Sequence, residues 1–247
     1  MNAVLEVESL AKSYPGFRLK DVSFALRRGS IMGLIGRNGA GKTTILKCLL
    51  GLVHPDGGSV RFFGRDWASD EAKIKPRIGY SGGNTVCYGK KTVAEIAAMT
   101  RRFYPHWEDE AWDDWLRRFS LDPAKTPEQL SEGMKVKLNL ALALSHHAEV
   151  LILDEPSSGL DPVSREEMVT IFKRLKIQGV SILFSTHITS DLEKCADDIT
   201  YIREGELAAS EPLADFVAYR RVRGFGSNLE NIMIHYEKEA FLEKLDD

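Results

Sequence analysis

The stretch GLIGRNGAGKTTIL, Gly33 to Leu46, constrains this chain more than any other. The apolar run IMGLIG within and before it reads as a buried strand. The residues after it, with Ile45, Leu46, Leu49 and Leu50 at helical spacing, read as a helix from Gly41 to about Leu50. Between them, Gly36, Asn38, Gly39, Gly41, Lys42 and Thr43 fit the pattern G-x4-G-K-[ST] in the strand-to-helix context that the pattern needs, and Thr44 follows. Glycines let successive backbone N–H groups turn inward around phosphate oxygens, and a helix N-terminus adds partial positive charge at the same place. Lys42 is suited to neutralise β and γ phosphates, and the Thr43 hydroxyl to reach magnesium. Strand, phosphate loop and helix in succession predict an α/β core.

A phosphate loop of this kind needs a carboxylate for the metal. VLILDEP, Val150 to Pro156, provides a buried strand that ends on Asp154, suited to hold magnesium through water. The adjacent Glu155 can orient or deprotonate an attacking water.

Strand and helix alternate through the rest of the chain. Val4 to Ser9, VSFALRRGS, GGSVRFFG and RIGYSGG read as strands. After VLILD come a helix from Pro162 to Gln178, the strand SILFST, the helix SDLEKCA and a strand pair around Gly205. Near-continuous apolar runs bounded by turns suit parallel strands covered on both faces. From about Thr92 to Ser145 the pattern turns helical. There Trp112, Trp115, Leu116 and Phe119 share one helix face and read as core rather than as a ligand site. The domain reading is therefore residues 1–211 as one α/β unit with a helical subdomain at about 92–145, followed by a helical extension over 212–247.

The net charge of -3 gives no basic excess, so no nucleic acid partner is expected, and the short cluster Arg220-Arg221-Val222-Arg223 reads equally as a solvated helix end. The cysteines Cys48, Cys87 and Cys195 are odd in number and far apart, against a disulfide framework or a zinc site. His146 and His147 are read as helix neighbours whose side chains diverge. No apolar run reaches the roughly 18 residues that cross a bilayer, and the N-terminus lacks a signal pattern. The expectation is a chain that docks on a membrane protein rather than entering the membrane.

Five pieces recur in series: the phosphate loop, LSEGM (Leu130 to Met134), VLILDEP, SGLD (Ser158 to Asp161) and STH (Ser185 to His187). In that order and spacing the chain resembles the nucleotide-binding domain of an ABC ATPase over about Val4 to Glu211, and within that family it looks most like bacterial multidrug or peptide-antibiotic export ATPases. The resemblance implies a P-loop NTPase core with an antiparallel β subdomain and an inserted α-helical subdomain, using ATP and Mg2+. It implies that ATP is sandwiched between two domains packed head to tail, in a homodimer or a heterodimer with a sister ATPase. Ser131 and Gly133 would then face the γ-phosphate on the opposing subunit, and Asp161 would lie across the seam. His187 would act with Glu155 on the attacking water. Tyr14 would stack on adenine, or be a partly buried loop aromatic. A transmembrane permease subunit on a separate chain would hold the protein at the cytoplasmic face of the cell membrane, with the helical insertion receiving its coupling helix.

Two departures from the family pattern stand out. Glu132 and Met134 replace the usual glycine and glutamine of the signature, and the Glu132 carboxylate would repel ATP unless it points outward or pairs with Lys135 or Lys137. Gly83 stands where a glutamine normally touches magnesium, so Asn84, a water or nothing fills that place. These departures keep open a non-hydrolysing, nucleotide-gated switch, which intact Lys42, Asp154, Glu155 and His187 oppose. A soluble ABC-type ATPase acting on ribosomes or DNA is the other alternative. Against it stand a single domain copy, no sustained heptads and no basic excess.

Overall fold

Neighbouring residues of the central strands enter two different cores, and that division organises the fold. The computed structural model describes residues 2–82 and 90–246, with side chains to residue 238. Following the chain, β1 (Ala3–Tyr14) and β2 (Phe17–Arg27) form a hairpin, and β3 (Ile31–Ile35) leads into α1 (Lys42–Leu49). Next come β4 (Gly57–Phe62), β5 (Arg65–Asp66), α2 (Trp67–Ile74) and β6 (Ile78–Gly82). The helices α3 (Val93–Thr100), α4 (Asp109–Phe119) and α5 (Glu132–Leu144) follow, all inside the segment read as a helical insertion. Then β7 (Val150–Asp154), α6 (Pro162–Ile177), β8 (Ser181–Ser185), α7 (Thr189–Cys195), β9 (Asp198–Arg203) and β10 (Glu206–Pro212) alternate, before α8 (Leu213–Val222) and α9 (Leu229–Asp246).

Among the described residues one sheet runs β10-β9-β3-β8-β7-β6, parallel except for β10. Ile31, Ile35, Leu151, Leu153, Ile182 and Phe184 point to one side, into a core completed by Leu138 and Ala141 of α5, Phe172 of α6 and Leu192 of α7. Met32, Leu34, Val150, Ile152 and Leu183 point to the other, where Ile45, Leu46 and Leu49 of α1 meet them. That second core is closed by an antiparallel sheet, β2-β1-β4-β5, through Leu5, Leu10, Val22, Leu26 and Phe62. Strands buried on both faces must be apolar at nearly every position, which is why IMGLI, VLILD and SILFS lack alternation. The α/β P-loop architecture, with its antiparallel β layer and helical insertion, is as the sequence implied.

Several local readings are corrected. The helix α2 was not anticipated. Asp66 caps it by accepting from the Ala68 N–H at 2.9 Å, and Trp67 packs 5.7 Å from Phe62, ring to ring. Strand β1 runs on to Tyr14, past a break in alternation at Ser9, whose φ of 50° and shifted register mark a bulge. His146 and His147 lie beyond α5 rather than on it. His146 is buried, stacks on Tyr104 at 3.7 Å and bonds the Pro76 carbonyl at 3.1 Å, and burial pushes its pKa down to about 4. His147 turns outward to Glu108 at 3.0 Å. Arg220 is not part of a solvated helix end: it is buried, donating to Glu211 at 2.8 Å and to the Tyr236 hydroxyl at 2.9 Å. Trp112 and Phe119 are core residues, as read, with Trp115 and Leu116 packed beside them. No helix among the described residues is long and apolar enough to cross a membrane.

Phe184 is fully buried and lies 5.5 Å from the Phe172 ring, so it joins β8 to α6. Phe184→Ala is expected to lower unfolding stability by about 3–5 kcal/mol, read from urea denaturation. A loss under about 1 kcal/mol would show that this face of the sheet is not closed by α6 as described.

Candidate functional site

Parallel strands in matched register end at one level, and ligand sites of α/β sheets form outside those ends. Here Ser185 pairs with Leu34 on one side and with Asp154 on the other, so the loops after β3, β7 and β8 open together. The loop after β3 depends on glycine at two positions. Gly36 has φ 152°, and a Cβ there would fall 2.3 Å from the Ile202 carbonyl oxygen. Gly41 has φ 114°, and a Cβ would fall 2.8 Å from the Phe17 ring. The loop is thus pressed between β9 and the tip of the β1–β2 hairpin.

Lys42 begins α1 and is only 6% exposed. Its ammonium donates to the Gly36 and Arg37 carbonyls at 2.7 and 3.2 Å and lies 3.8 Å from Glu155 Oε1. Burial lowers its pKa, and the nearby Glu155 and Asp154 carboxylates oppose that shift. The Thr43 hydroxyl donates to Asp154 Oδ2 at 3.1 Å, and the Ser185 hydroxyl donates to Asp154 Oδ1 at 2.6 Å. Ser185 Oγ accepts in turn from the Glu155 N–H at 2.9 Å. His187 Nδ1 lies 2.7 Å from Glu155 Oε2. Glu155 itself has φ 51°, a left-handed conformation uncommon outside glycine and frequent at functional sites. Together these groups surround a cleft of about 740 Å³, lined by Phe17, Asn38, Gly39, Gly41, Lys42, Thr43, Thr44, Glu155 and His187 among others. The arrangement offers a buried cation, a glycine loop, two oxygen ligands and a carboxylate–imidazole pair, which suit a polyphosphate and its hydrolysis.

Some residues singled out in the sequence stand apart from this cleft. Tyr14 is exposed at the hairpin tip beside Lys12, and Phe17, its partner across the turn, is the aromatic on the cleft wall. Ser131 caps α5, accepting from the Met134 N–H at 3.3 Å, and Asp161 caps α6, accepting from the Val163 and Ser164 N–H groups at 2.9 and 3.1 Å. Gly133 faces Ser164, so these two caps adjoin each other on a surface separate from the Lys42 cleft. Glu132 pairs with Lys135 at 2.6 Å, while Lys137 pairs with Glu167. Gly83 and Asn84 lie outside the described residues. Sequence reading passed over Phe17, Arg37 and Ser185, although Ser185 belongs to the STH segment and its place beside VLILD could have flagged it.

Comparison with known proteins gives concordant results. Residues 19–158 match the ABC transporter family. The chain is 34% identical over 216 residues to the bacitracin transport ATP-binding protein BcrA of Bacillus licheniformis, covering 86% of this chain and 71% of that one. It is 36% identical over 211 residues to the lantibiotic transport ATP-binding protein SrtF of Streptococcus pyogenes, covering 83% and 89%. Among solved structures, an ATP-binding subunit of an ABC transporter superposes with a TM-score of 0.81 at 28% identity, covering 95% and 98%.

Because Lys42 is the buried cation of the cleft, Lys42→Ala is expected to weaken binding of a fluorescent ATP analogue by at least about tenfold, the value of one lost charge-assisted bond. Unchanged affinity in the titration would remove the phosphate assignment.

Proposed function

The chain belongs to the ABC transporter family as an ATP-binding, ATP-hydrolysing subunit, and from that premise we propose that it powers an exporter of peptide antibiotics or similar drugs from the cytoplasmic face of the membrane. The observation that carries the catalytic reading is that Lys42 and His187 both reach the Glu155 carboxylate, at 3.8 and 2.7 Å. The transport reading is supported by likeness to subunits named for bacitracin and lantibiotic transport. On this reading residues 1–211 are the ATPase unit, residues 212–247 are an extension, and a permease on a separate chain supplies the membrane spans.

The backbone amides of the loop and Lys42 hold the β and γ phosphates. Thr43 and Asp154 present two oxygens at one point of the cleft, which suits magnesium, an ion that takes oxygen ligands and completes its shell with phosphate and water. When bound, magnesium neutralises charge on the phosphates. Glu155 accepts a proton as water attacks the γ-phosphorus, the bond to the bridging oxygen breaks, and ADP and phosphate result. His187 holds the Glu155 carboxylate through the 2.7 Å contact and faces the same cleft. Ser131, Gly133 and Asp161 complete the site of an opposing domain, in a second copy of this chain or a sister ATPase. The Glu132 charge, which would favour a weakened switch, is met by Lys135.

Glu155→Gln is expected to keep ATP binding, to slow hydrolysis by at least about a hundredfold, the usual worth of a general base, and to accumulate an ATP-dependent dimer. Gel filtration with ATP and magnesium, alone and with the sister subunit, reads the dimer, and phosphate release reads turnover. A variant that hydrolyses at the wild-type rate would sink the role given to Glu155.

A further inference from the structure

The C-terminal helix reaches back to the phosphate loop, and one side chain makes the connection. Leu229 and Ile232 of α9 are fully buried in the larger core, and the Leu229 N–H donates to Glu193 of α7 at 2.6 Å. Arg220 of α8 bonds the Tyr236 hydroxyl, and Phe225 stacks on His235 at 4.1 Å. These contacts fix α9 against α7 and α8. A cavity of about 710 Å³ then lies between α9 and the loops after β3 and β8, lined by Ile35, Ile188, Met233 and Ile234 among others. Glu237 bridges this gap. One carboxylate oxygen accepts from the buried Tyr201 hydroxyl of β9 at 3.0 Å, and the other accepts from the Arg37 guanidinium at 3.4 Å.

Arg37 is itself part of the phosphate loop. Its carbonyl receives the Lys42 ammonium, and its side chain lines the nucleotide cleft as well as the cavity under α9. The start of the loop is therefore held from two directions. Gly36 rests against Ile202 of β9, and Arg37 is drawn toward the carboxylate that the neighbouring Tyr201 orients. Burial and the Glu237 carboxylate both raise the Tyr201 pKa, so the phenol stays protonated and remains a donor.

We propose that Glu237 is a positioning residue for nucleotide binding: through Arg37 it ties the phosphate loop to the C-terminal helix and preorganises the loop before ATP arrives. A loop already in its binding conformation spends less ordering entropy on the ligand. The tether touches the loop where phosphate binds and not the carboxylate that accepts the proton, so it acts on affinity and leaves turnover at saturation alone. This inference rests on the nucleotide reading of the Lys42 loop.

The test is a double-mutant cycle on the full chain. Glu237→Gln removes the charge but keeps an amide oxygen for Tyr201. It is expected to raise the Kd of a fluorescent ATP analogue roughly two- to fivefold, the range of an exposed ion pair, with kcat at saturating ATP unchanged. Arg37→Gln is expected to give a similar rise, and the double variant no further rise. High salt should shrink the difference between Glu237→Gln and wild type. Thermal midpoints without nucleotide should match wild type. Unchanged Kd in Glu237→Gln, additive effects of the two substitutions, or a Kd rise accompanied by a lowered midpoint would each overturn the tether. Lys42→Ala in the same titration separates the two readings: if that variant binds normally, the nucleotide assignment fails, not the tether alone.

Discussion

The register of the parallel sheet is the constraint on which the site depends. Asp154 stands opposite Ser185, and Ser185 opposite Leu34, so three loops from distant parts of the chain leave the sheet at one level. A slip of one residue in β7 would turn Asp154 toward the opposite face and bring an aliphatic residue to the strand end. The register is held because neighbouring residues of these strands belong to different cores, so a shift of one residue would send each apolar side chain to the wrong one. Burial of Lys42 at the head of α1 follows from the same geometry. A buried ammonium needs partners, and two loop carbonyls with the Glu155 carboxylate supply them. Incoming phosphate oxygens fit the same cation, so the site before binding is already arranged around the charge that it receives.

Legibility in the sequence followed the range of the interactions. The phosphate loop, the two acids Asp154 and Glu155 at the end of β7 and the alternation of strands with helices are local patterns, and the structure brings them together at one end of the sheet. That Phe17 rather than Tyr14 lines the cleft was not legible, because the two residues pair across one hairpin tip and spacing alone does not tell which ring faces the loop. Arg220 looks like a surface cation in sequence, and the two partners that make it a buried one, Glu211 and Tyr236, come from other elements. His146 looked like half of a helix pair, but α5 stops at Leu144 and the ring turns into a stack with Tyr104. The bond from Glu237 to Arg37 spans 200 residues, and no spacing rule reaches that far.

On the proposed function the molecule carries two surfaces for nucleotide: the Lys42 cleft, and the surface on which Ser131, Gly133 and Asp161 adjoin. In a single chain the second surface has an ordinary structural job, since Ser131 and Asp161 satisfy the open N–H groups of α5 and α6. Those caps also fix the two segments in place before any partner arrives. A helix N-terminus with a serine hydroxyl favours an anion, so a phosphate bound to another chain is a ligand that this surface suits. In the proposed pair these two surfaces would share one nucleotide between two domains, and closure would respond to what the cleft holds.

The most direct measurement of this account is whether the two surfaces meet across chains when ATP is bound. Cysteines placed at Asn38 and Ser131, in a chain carrying Glu155→Gln and Cys87→Ser, report that contact by disulfide formation. The remaining cysteines, Cys48 and Cys195, are buried. Between two copies, or with the matching cysteines in a sister ATPase, a covalent dimer is expected with ATP and magnesium and none without nucleotide. A link that stays within one chain, or that forms equally without ATP, would contradict it.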